Sequence, residues 1–288
     1  MINQLRYLVS ACKQLSISYS FIDNHQNLIK INTLPNATYF INYTTPLNTS
    51  DVVRICSDKD FTIQLLKSVI LTPKTKSYLD PSCPEKYRHY LKHRTPEEIC
   101  NDILLNFSLP LILKKNSGSQ GSNVFLCHTR KEIKSAAKTI FDQKSKEYDY
   151  ILLAQEYIHP KTEYRVVVCR QQITFAYQKD ISQALFTGNL SPLHWHNAKA
   201  LLCSDTKLLT KFQNFLSPIY SLLPLSFGGI DIIEDQNNNL WLIEINTNPG
   251  FDYFLRDNSP KPLIDTYKRI LSGLIPTTHT KDLQCKSK

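Results

Sequence analysis

Apolar and polar positions alternate most clearly in residues 227–251, FGGIDIIEDQNNNLWLIEINTNPGF. The pattern predicts a β-hairpin: a strand over 230–233, a polar turn over 235–239, and a second strand, Leu240–Asn246, halted by Asn248-Pro249-Gly250. Side chains alternate along a strand. Leu240, Leu242, Glu244 and Asn246 therefore share one expected face, and Trp241, Ile243 and Ile245 share the other, which reads as the core face. The first face ends in a carboxylate and an amide, groups that are costly to bury without a partner. Asp231 likewise interrupts an apolar run. Two acids and an amide oxygen on adjacent strands predict a hard-oxygen cation site of the kind that holds Mg²⁺ together with phosphates. A hairpin with its polar face in water is the plainer alternative.

The same reading applied in chain order predicts strands over 16–23, 27–33 and 38–45, hence a small strand-rich N-terminal segment. Ser57 and Asp60 form a weak capping box for a helix over about 58–69. Lys59 falls in its first turn, where the helix dipole disfavours a cation, so either an anion or solvent must compensate. Residues 86–94 are strongly basic, and His89 and His93 are spaced for one helical face; a solvated or substrate-facing surface is the expectation there. Thr95-Pro96-Glu97-Glu98 opens a capped helix to about residue 107. A strand over 109–114, the loop SGSQGS and a strand over 123–127 follow, then a capped helix over 129–141. Strands are expected over 150–158, 164–169 and 172–179, and helices over 205–222 and 262–271, with a basic tail behind.

Glycine is scarce. Six of the seven (118, 121, 188, 228, 229 and 250) lie in or beside these polar-interrupted stretches, where backbone approaches a ligand or takes positive φ. The SGSQGS loop differs from a P-loop because its lysine, Lys114, precedes the glycines and a strand follows them. Successive free N–H groups in such a turn suit phosphate, with Lys114 as a point charge; an ordinary hairpin turn is the alternative. Glu163 and Arg165 share a strand face, as a salt bridge or as ribose and phosphate ligands. His194 and His196 superficially form a metal pair, and a loop that meets substrate is the preferred reading.

Thirty-four basic against 25 acidic residues give a net charge of +9, which favours anionic partners, although solubility charge accounts for it equally. No apolar run approaches the ~18 residues of a membrane helix. The first residues lack the basic and apolar regions of a leader peptide. Eight scattered cysteines without a CxxC spacing are expected to be reduced thiols, as in a cytoplasm.

SDKDFT, LILKKNSGSQG, LAQEYI, EYRVVV, GGIDIIED and LIEINTNPG stand in this order across residues 51–256. Together they resemble the ATP-grasp superfamily, closest to RimK-like glutamate ligases and the ATP-grasp portion of cyanophycin synthetase. The resemblance implies an α+β fold in which two α+β subdomains clasp ATP behind a small strand-rich domain. The implied boundaries are 1–56, 57–155, 156–272 and a tail from 273. It implies an Mg²⁺-dependent (or Mn²⁺-dependent) ligase that joins a carboxylate to an amine through an acyl phosphate. A kinase of the same fold acting on a polyanion such as an inositol phosphate is the alternative.

Carried over residue by residue, Lys59 and Lys114 match phosphate-binding lysines, and Ser119, Gln120 and Gly121 match the phosphate lid. Glu156, Tyr157 and Ile158 match the adenine-reading hinge, Glu163 the ribose acid, and Arg165 the arginine over the transferred phosphoryl group. Lys179 lies where relatives often carry a base near the phosphates, and Asp231, Glu244 and Asn246 match the magnesium ligands. Catalysis would fall to Arg165, Lys114 and Lys179, with Asn189, His194, His196, Asn248 and Gly250 near the other substrates. Lys115 replaces a proline common in relatives, and Ser-Pro-Leu-His-Trp-His follows Asn189-Leu190 where RimK-like ligases carry an arginine. Small-molecule or peptide carboxylates and amines are the implied partners, with no nucleic acid or membrane, and a homodimer is compatible with the pattern.

Overall fold

The computed structural model describes residues 1–32, 36–118 and 121–274. Its elements are helices α1 (Asn3–Gln14), α2 (Ser50–Ser57), α3 (Lys59–Leu66), α4 (Pro96–Asn106), α5 (Arg130–Ile140), α6 (Thr206–Leu216), α7 (Asp252–Asp257) and α8 (Lys261–Ser272). The strands are β1 (Tyr19–Phe21), β2 (Leu28–Ile31), β3 (Thr38–Ile41), β4 (Thr75–Leu79), β5 (Leu111–Lys115), β6 (Val124–Cys127), β7 (Ile151–Glu156), β8 (Pro160–Cys169), β9 (Gln172–Asp180), β10 (Lys199–Leu202), β11 (Phe227–Asp235) and β12 (Leu240–Asn246). They form three antiparallel sheets ordered β1-β2-β3, β4-β7-β5-β6 and β10-β9-β8-β11-β12.

Strand periodicity decides what each sheet covers. In β8, Tyr164, Val166 and Val168 point to a core shared with Val52 and Cys56 of α2, Leu66 of α3 and Phe212 of α6. Val167 and Cys169, on the other face, join a second core with Leu5 and Leu8 of α1, Phe40 of β3, Phe254 of α7 and Tyr267 of α8. That second layer covers only one end of the face. Toward the other end the same face carries Glu163 and Arg165 of β8, Lys179 of β9 and Asp231 of β11. The four-stranded sheet packs one face on α4 and α5, through Ile103, Leu111, Leu113 and Ile133. Its other face presents Ile112, Lys114 and Gln155 toward the five-stranded sheet.

The hairpin lies at 227–246 as its alternation predicts, but its faces require correction. Asp231 pairs with Glu244, and Ile232 pairs with Leu242, so Ile243 is an extra residue in β12. A bulge of this kind breaks the period of two. Leu240, Leu242 and Ile245 therefore enter the core, while Trp241 and Ile243 are only half-buried. Ile243, Glu244 and Asn246 all line the cavity between the sheets. Trp241 is turned outward from the core, with its indole N–H donated to Asp235.

Other differences have local causes. Asp58 takes an extended backbone (φ −106°, ψ 106°) between α2, which the pattern does not predict, and α3, which is the expected helix ended at Leu66; its side chain rather than that of Ser57 accepts the Phe61 N–H. The 86–94 segment contains a 3-10 turn, Glu85–Tyr90, so His89 and His93 do not share a helical face. His93 instead lies 3.5 Å from Asp102. Pro218 begins a second 3-10 turn that ends α6 early. The pattern predicts none of α1, β10 and α7. Thr95 and Thr129 cap α4 and α5 as expected, the latter in a complete capping box with Glu132. Cys12, Cys56, Cys83, Cys100, Cys127, Cys169 and Cys203 are free, all but the last buried. The expected tail beyond 274, the end of the 27–33 strand, and Ser119 and Gln120 lie outside the described residues. Among the described residues no helix is long and apolar enough to cross a membrane.

The bulge makes a testable distinction between neighbours. Leu242→Ala is expected to cost about 2–5 kcal/mol in urea unfolding, because it empties a core position. Ile243→Ala should cost clearly less, since that side chain faces the cavity.

Candidate active site

A cavity of about 650 Å³ opens between the four- and five-stranded sheets. Lys59, Lys114, Arg165 and Lys179 line it together with Glu163, Asp231, Glu244 and Asn246. Register creates this grouping: Arg165 is directly opposite Asp231 across β8 and β11, and Asp231 is directly opposite Glu244 across β11 and β12. Like charges directly opposite repel unless cations intervene, and cations surround this pair.

Arg165 grips Asp231 with both arms of its fork, Nε to Oδ1 at 2.6 Å and Nη2 to Oδ2 at 2.8 Å. Lys179 Nζ lies 3.0 Å from Asp231 Oδ1 and 3.6 Å from Glu163 Oε2. Burial opposes ionisation of Asp231, but Arg165 and Lys179 outweigh it and hold the carboxyl below its ordinary range. Burial likewise opposes charge on Lys179, and Asp231 with Glu163 more than restores it. Glu163 is pushed up by burial, against the pull of Lys179. Gly229 gives Arg165 its room: a Cβ there would lie 2.9 Å from Pro249 Cβ and 3.0 Å from Arg165 Cδ.

Lys59 stands at the start of α3, and its Nζ reaches Gly118 O at 2.6 Å and Glu244 Oε1 at 3.7 Å. Those groups supply the anionic company that its helix position demands. Asn116 joins the glycine loop to that helix by accepting the Asp60 N–H at 2.9 Å. Lys114 Nζ donates to Gln155 Oε1 at 2.9 Å, and Gln155 passes the chain on to Thr75. Burial brings the Lys114 ammonium down to about 8. The glycine loop is fastened from outside. Ser117 donates its N–H and hydroxyl to Asp149, each at 2.7 Å, and Ser122 and Lys115 both bind Glu147.

The expected site residues largely converge. Gly121, Glu156, Tyr157, Ile158, Asn248 and Gly250 line the same cavity as the charged cluster. Glu156 closes β7, its N–H donated to Lys74 O and its carboxylate accepting the Lys74 N–H. His194 lines the cavity with Nδ1 3.1 Å from the Tyr253 hydroxyl. Asn189 sits just behind the lining, accepting the Ser191 N–H, and a Cβ on Gly121 would meet its side chain at 2.2 Å. His196 is exposed, its backbone bridged to Leu185, and takes no part in the lining. The sequence pattern does not single out Asn116, Glu147 or Asp149, which position Lys59, Lys115 and the loop. Gln155 is visible as the first polar residue of the apolar LAQEYI strand, and it holds Lys114. None of residues 86–94 lines the cavity.

Asp231, Glu244 and Asn246 offer the hard oxygens that Mg²⁺ prefers. Asp231 is held ionised and both acids lie on neighbouring strands, so the donor set fits a divalent ion.

Residues 92–266, more than half of the chain, match the RimK-like ATP-grasp domain. A D-alanine–D-alanine ligase of Haemophilus ducreyi is 26% identical over 52% of this chain and 48% of its own. A probable α-L-glutamate ligase of Azotobacter vinelandii is 24% identical over 55% of this chain and 49% of its own. The chain thus spans about half the length of these relatives. The crystal structure of a RimK domain ATP-grasp protein from Sphaerobacter thermophilus superposes with a TM-score of 0.53 at 12% identity, over 77% of this chain and 70% of that one, a likeness of fold. Ligases of this superfamily use ATP and Mg²⁺. Two sheets closing on a cation-lined cavity, with the domain match across both, make this chain a member of the RimK-like ATP-grasp family.

Proposed function

We propose that the protein is an ATP-dependent ligase that joins a carboxylate to an amine. The observation that carries the reading is the cluster of Arg165, Lys179 and Lys59 around two opposed carboxylates, with Lys114 lining the same cavity. The ligase names of the two relatives support it. The basic 74–94 segment, which with the positive charge suggested a kinase for polyanions, contributes no residue to that lining.

In this reaction a substrate carboxylate oxygen attacks the γ-phosphorus of the substrate ATP, and the bond to ADP breaks. An amine then displaces phosphate from the acyl carbon. The chain need supply no covalent nucleophile; its contribution is positioning and charge neutralisation. Lys59 and Lys114 hold phosphate oxygens. Arg165 keeps Nε and Nη2 on Asp231 and offers Nη1 to the transferred phosphoryl group. Glu156, Tyr157 and Ile158 take the base, and Glu163 the ribose. Asp231, Glu244 and Asn246 would hold Mg²⁺, which when bound neutralises phosphate charge.

Release of ADP, measured across pairs of carboxylates and amines with mass detection of the amide, tests the reading. A stable phosphoester in place of an amide would replace it with the kinase. Arg165→Lys keeps a charge but loses the fork, and is expected to fold and to lose about 10²–10³ in turnover. Glu244→Gln should lose Mg²⁺-supported turnover with its unfolding midpoint little changed; an unaltered rate would remove that ligand assignment. Lys114 is charged below about pH 8 and neutral above it. Affinity for ATP, followed calorimetrically, should therefore weaken as pH rises through that value, and Lys114→Met should flatten the dependence.

A further inference from the structure

We propose that the cavity wall built from the 181–195 loop and the start of α7 is the acceptor site, that it takes an amine bearing an aromatic or large aliphatic group, and that His194 accepts the proton this amine releases. The inference deepens the ligase reading and rests on it.

Contacts tie this wall together. His194 and Tyr253 meet edge to face, with ring centroids 5.2 Å apart and Nδ1 3.1 Å from the hydroxyl. Tyr253 is itself steadied by Arg256, whose guanidinium lies 5.2 Å over its ring and is anchored to Asp257 and to Ala198 O. Phe186 stands edge-on to Trp195 at 5.1 Å, and Trp195 donates its indole N–H to Asn189 O. Ile181, Leu190 and Tyr43 complete the apolar lining. Phe186 remains 59% exposed, a large apolar ring at the mouth without full cover.

The charges select the class of ligand. Lys59, Arg165 and Lys179 are engaged by carboxylates, Lys115 by Glu147, and Lys114 by Gln155. Within this wall, among the described residues, Asp252 is the charged side chain. An acidic substituent on the acceptor would meet that carboxylate and no unengaged cation, a poor arrangement in a partly desolvated site. An ammonium would be drawn to Asp252, and an apolar substituent would cover Phe186 and Trp195.

Atoms balance as follows. The ammonium gives one proton to His194 Nε2, whose lone pair is free when Nδ1–H donates to the Tyr253 oxygen. The amine lone pair then forms the C–N bond, the bond from the acyl carbon to the phosphate oxygen breaks, and phosphate departs with that electron pair and the second amine proton. His194 afterwards returns its proton to solvent. Tyr253, Lys179 and, in the same wall, Asp252 are the polar groups that bear on the imidazole. Its burial, reinforced by Lys179, lowers it from the ordinary imidazole value and so favours the unprotonated form that accepts the proton. A base so placed is worth about 10²–10⁴ in rate.

Hydroxylamine trapping separates the two levels of the proposal. Hydroxylamine is largely unprotonated near neutral pH and captures an activated carboxyl without a base. Wild-type protein with ATP, Mg²⁺ and a carboxylate panel should form hydroxamate. With the carboxylate identified there, aromatic and aliphatic amines should outcompete acidic ones. His194→Ala and His194→Gln should lower the ratio of amide to hydroxamate, taken in one sample, by about 10²-fold or more. The acidic limb of amide formation in the wild type should lie on the acid side of the ordinary imidazole value. Hydroxamate formation with acidic amines preferred, or with the ratio in the variants within about threefold of wild type, overturns the acceptor assignment. No hydroxamate with any carboxylate overturns the ligase reading and this inference with it.

Discussion

The bidentate pair between Arg165 and Asp231 is the interaction on which the rest of the site depends. It spans β8 and β11, the two strands at the heart of the five-stranded sheet. A buried ion pair is a weak source of stability, because desolvation offsets the Coulomb gain, yet removing one partner strands the other at a cost of about 3–5 kcal/mol. Here the pair does not stand alone. Lys179 shares Asp231 and reaches Glu163, and Glu244 sits beside Asp231 with Lys59 in range. At Asp231, Arg165 and Lys179 the alternation of charge outweighs burial and favours the ionised forms. That is the condition for a preorganised electrostatic site, whose dipoles and charges need not reorganise during reaction.

The network occupies half of one sheet face, and the fold explains which half. Val167, Cys169, Phe175 and Phe227 of the central strands lie under α1, α7, α8 and the small β1-β2-β3 sheet. Two to four residues further along the same strands, with side chains on the same face, stand Arg165, Lys179 and Asp231. No change of backbone geometry separates core from site on these strands; only the covering layer ends. Tyr177 marks the border, belonging to the second core while also lining the cavity.

This arrangement sets what could be read from sequence. Acids or lysines inside apolar runs, as at Asp231, Glu244 and Lys114, are visible because burial of charge is expensive and demands a reason. Helix starts at Thr95 and Thr129 are visible because capping is a contact between residues three apart. The bulge at Ile243 is not visible, since the extra residue is defined only against the partner strand. The face assignment of Trp241 failed for that reason, although Glu244 and Asn246 both reached the cavity. The start of α3 near residue 58 is visible through capping, but the contact that ties it to the glycine loop is nonlocal: Asn116, 56 residues away, satisfies the N–H of Asp60. The wall of His194 and Tyr253 joins two segments that carry no shared pattern, and only His194 drew notice.

The glycine loop then connects the two ends of the cavity. On one side Gly118 O accepts the Lys59 ammonium, the cation that also faces Glu244. On the other, Gly121 adopts a φ of +70° and approaches Asn189 so closely that any Cβ would collide with its side-chain oxygen. Asn189 in turn carries the Trp195 indole and orders Ser191. The loop thus touches Lys59 through Gly118 and the segment bearing His194 through Gly121. Glu147 and Asp149 fasten it from outside, Glu147 through Lys115 and Ser122 and Asp149 through Ser117. A displacement of this loop would therefore be felt at Lys59 and in the wall of His194 and Tyr253 together, and glycine at 121 is the residue that permits the second contact.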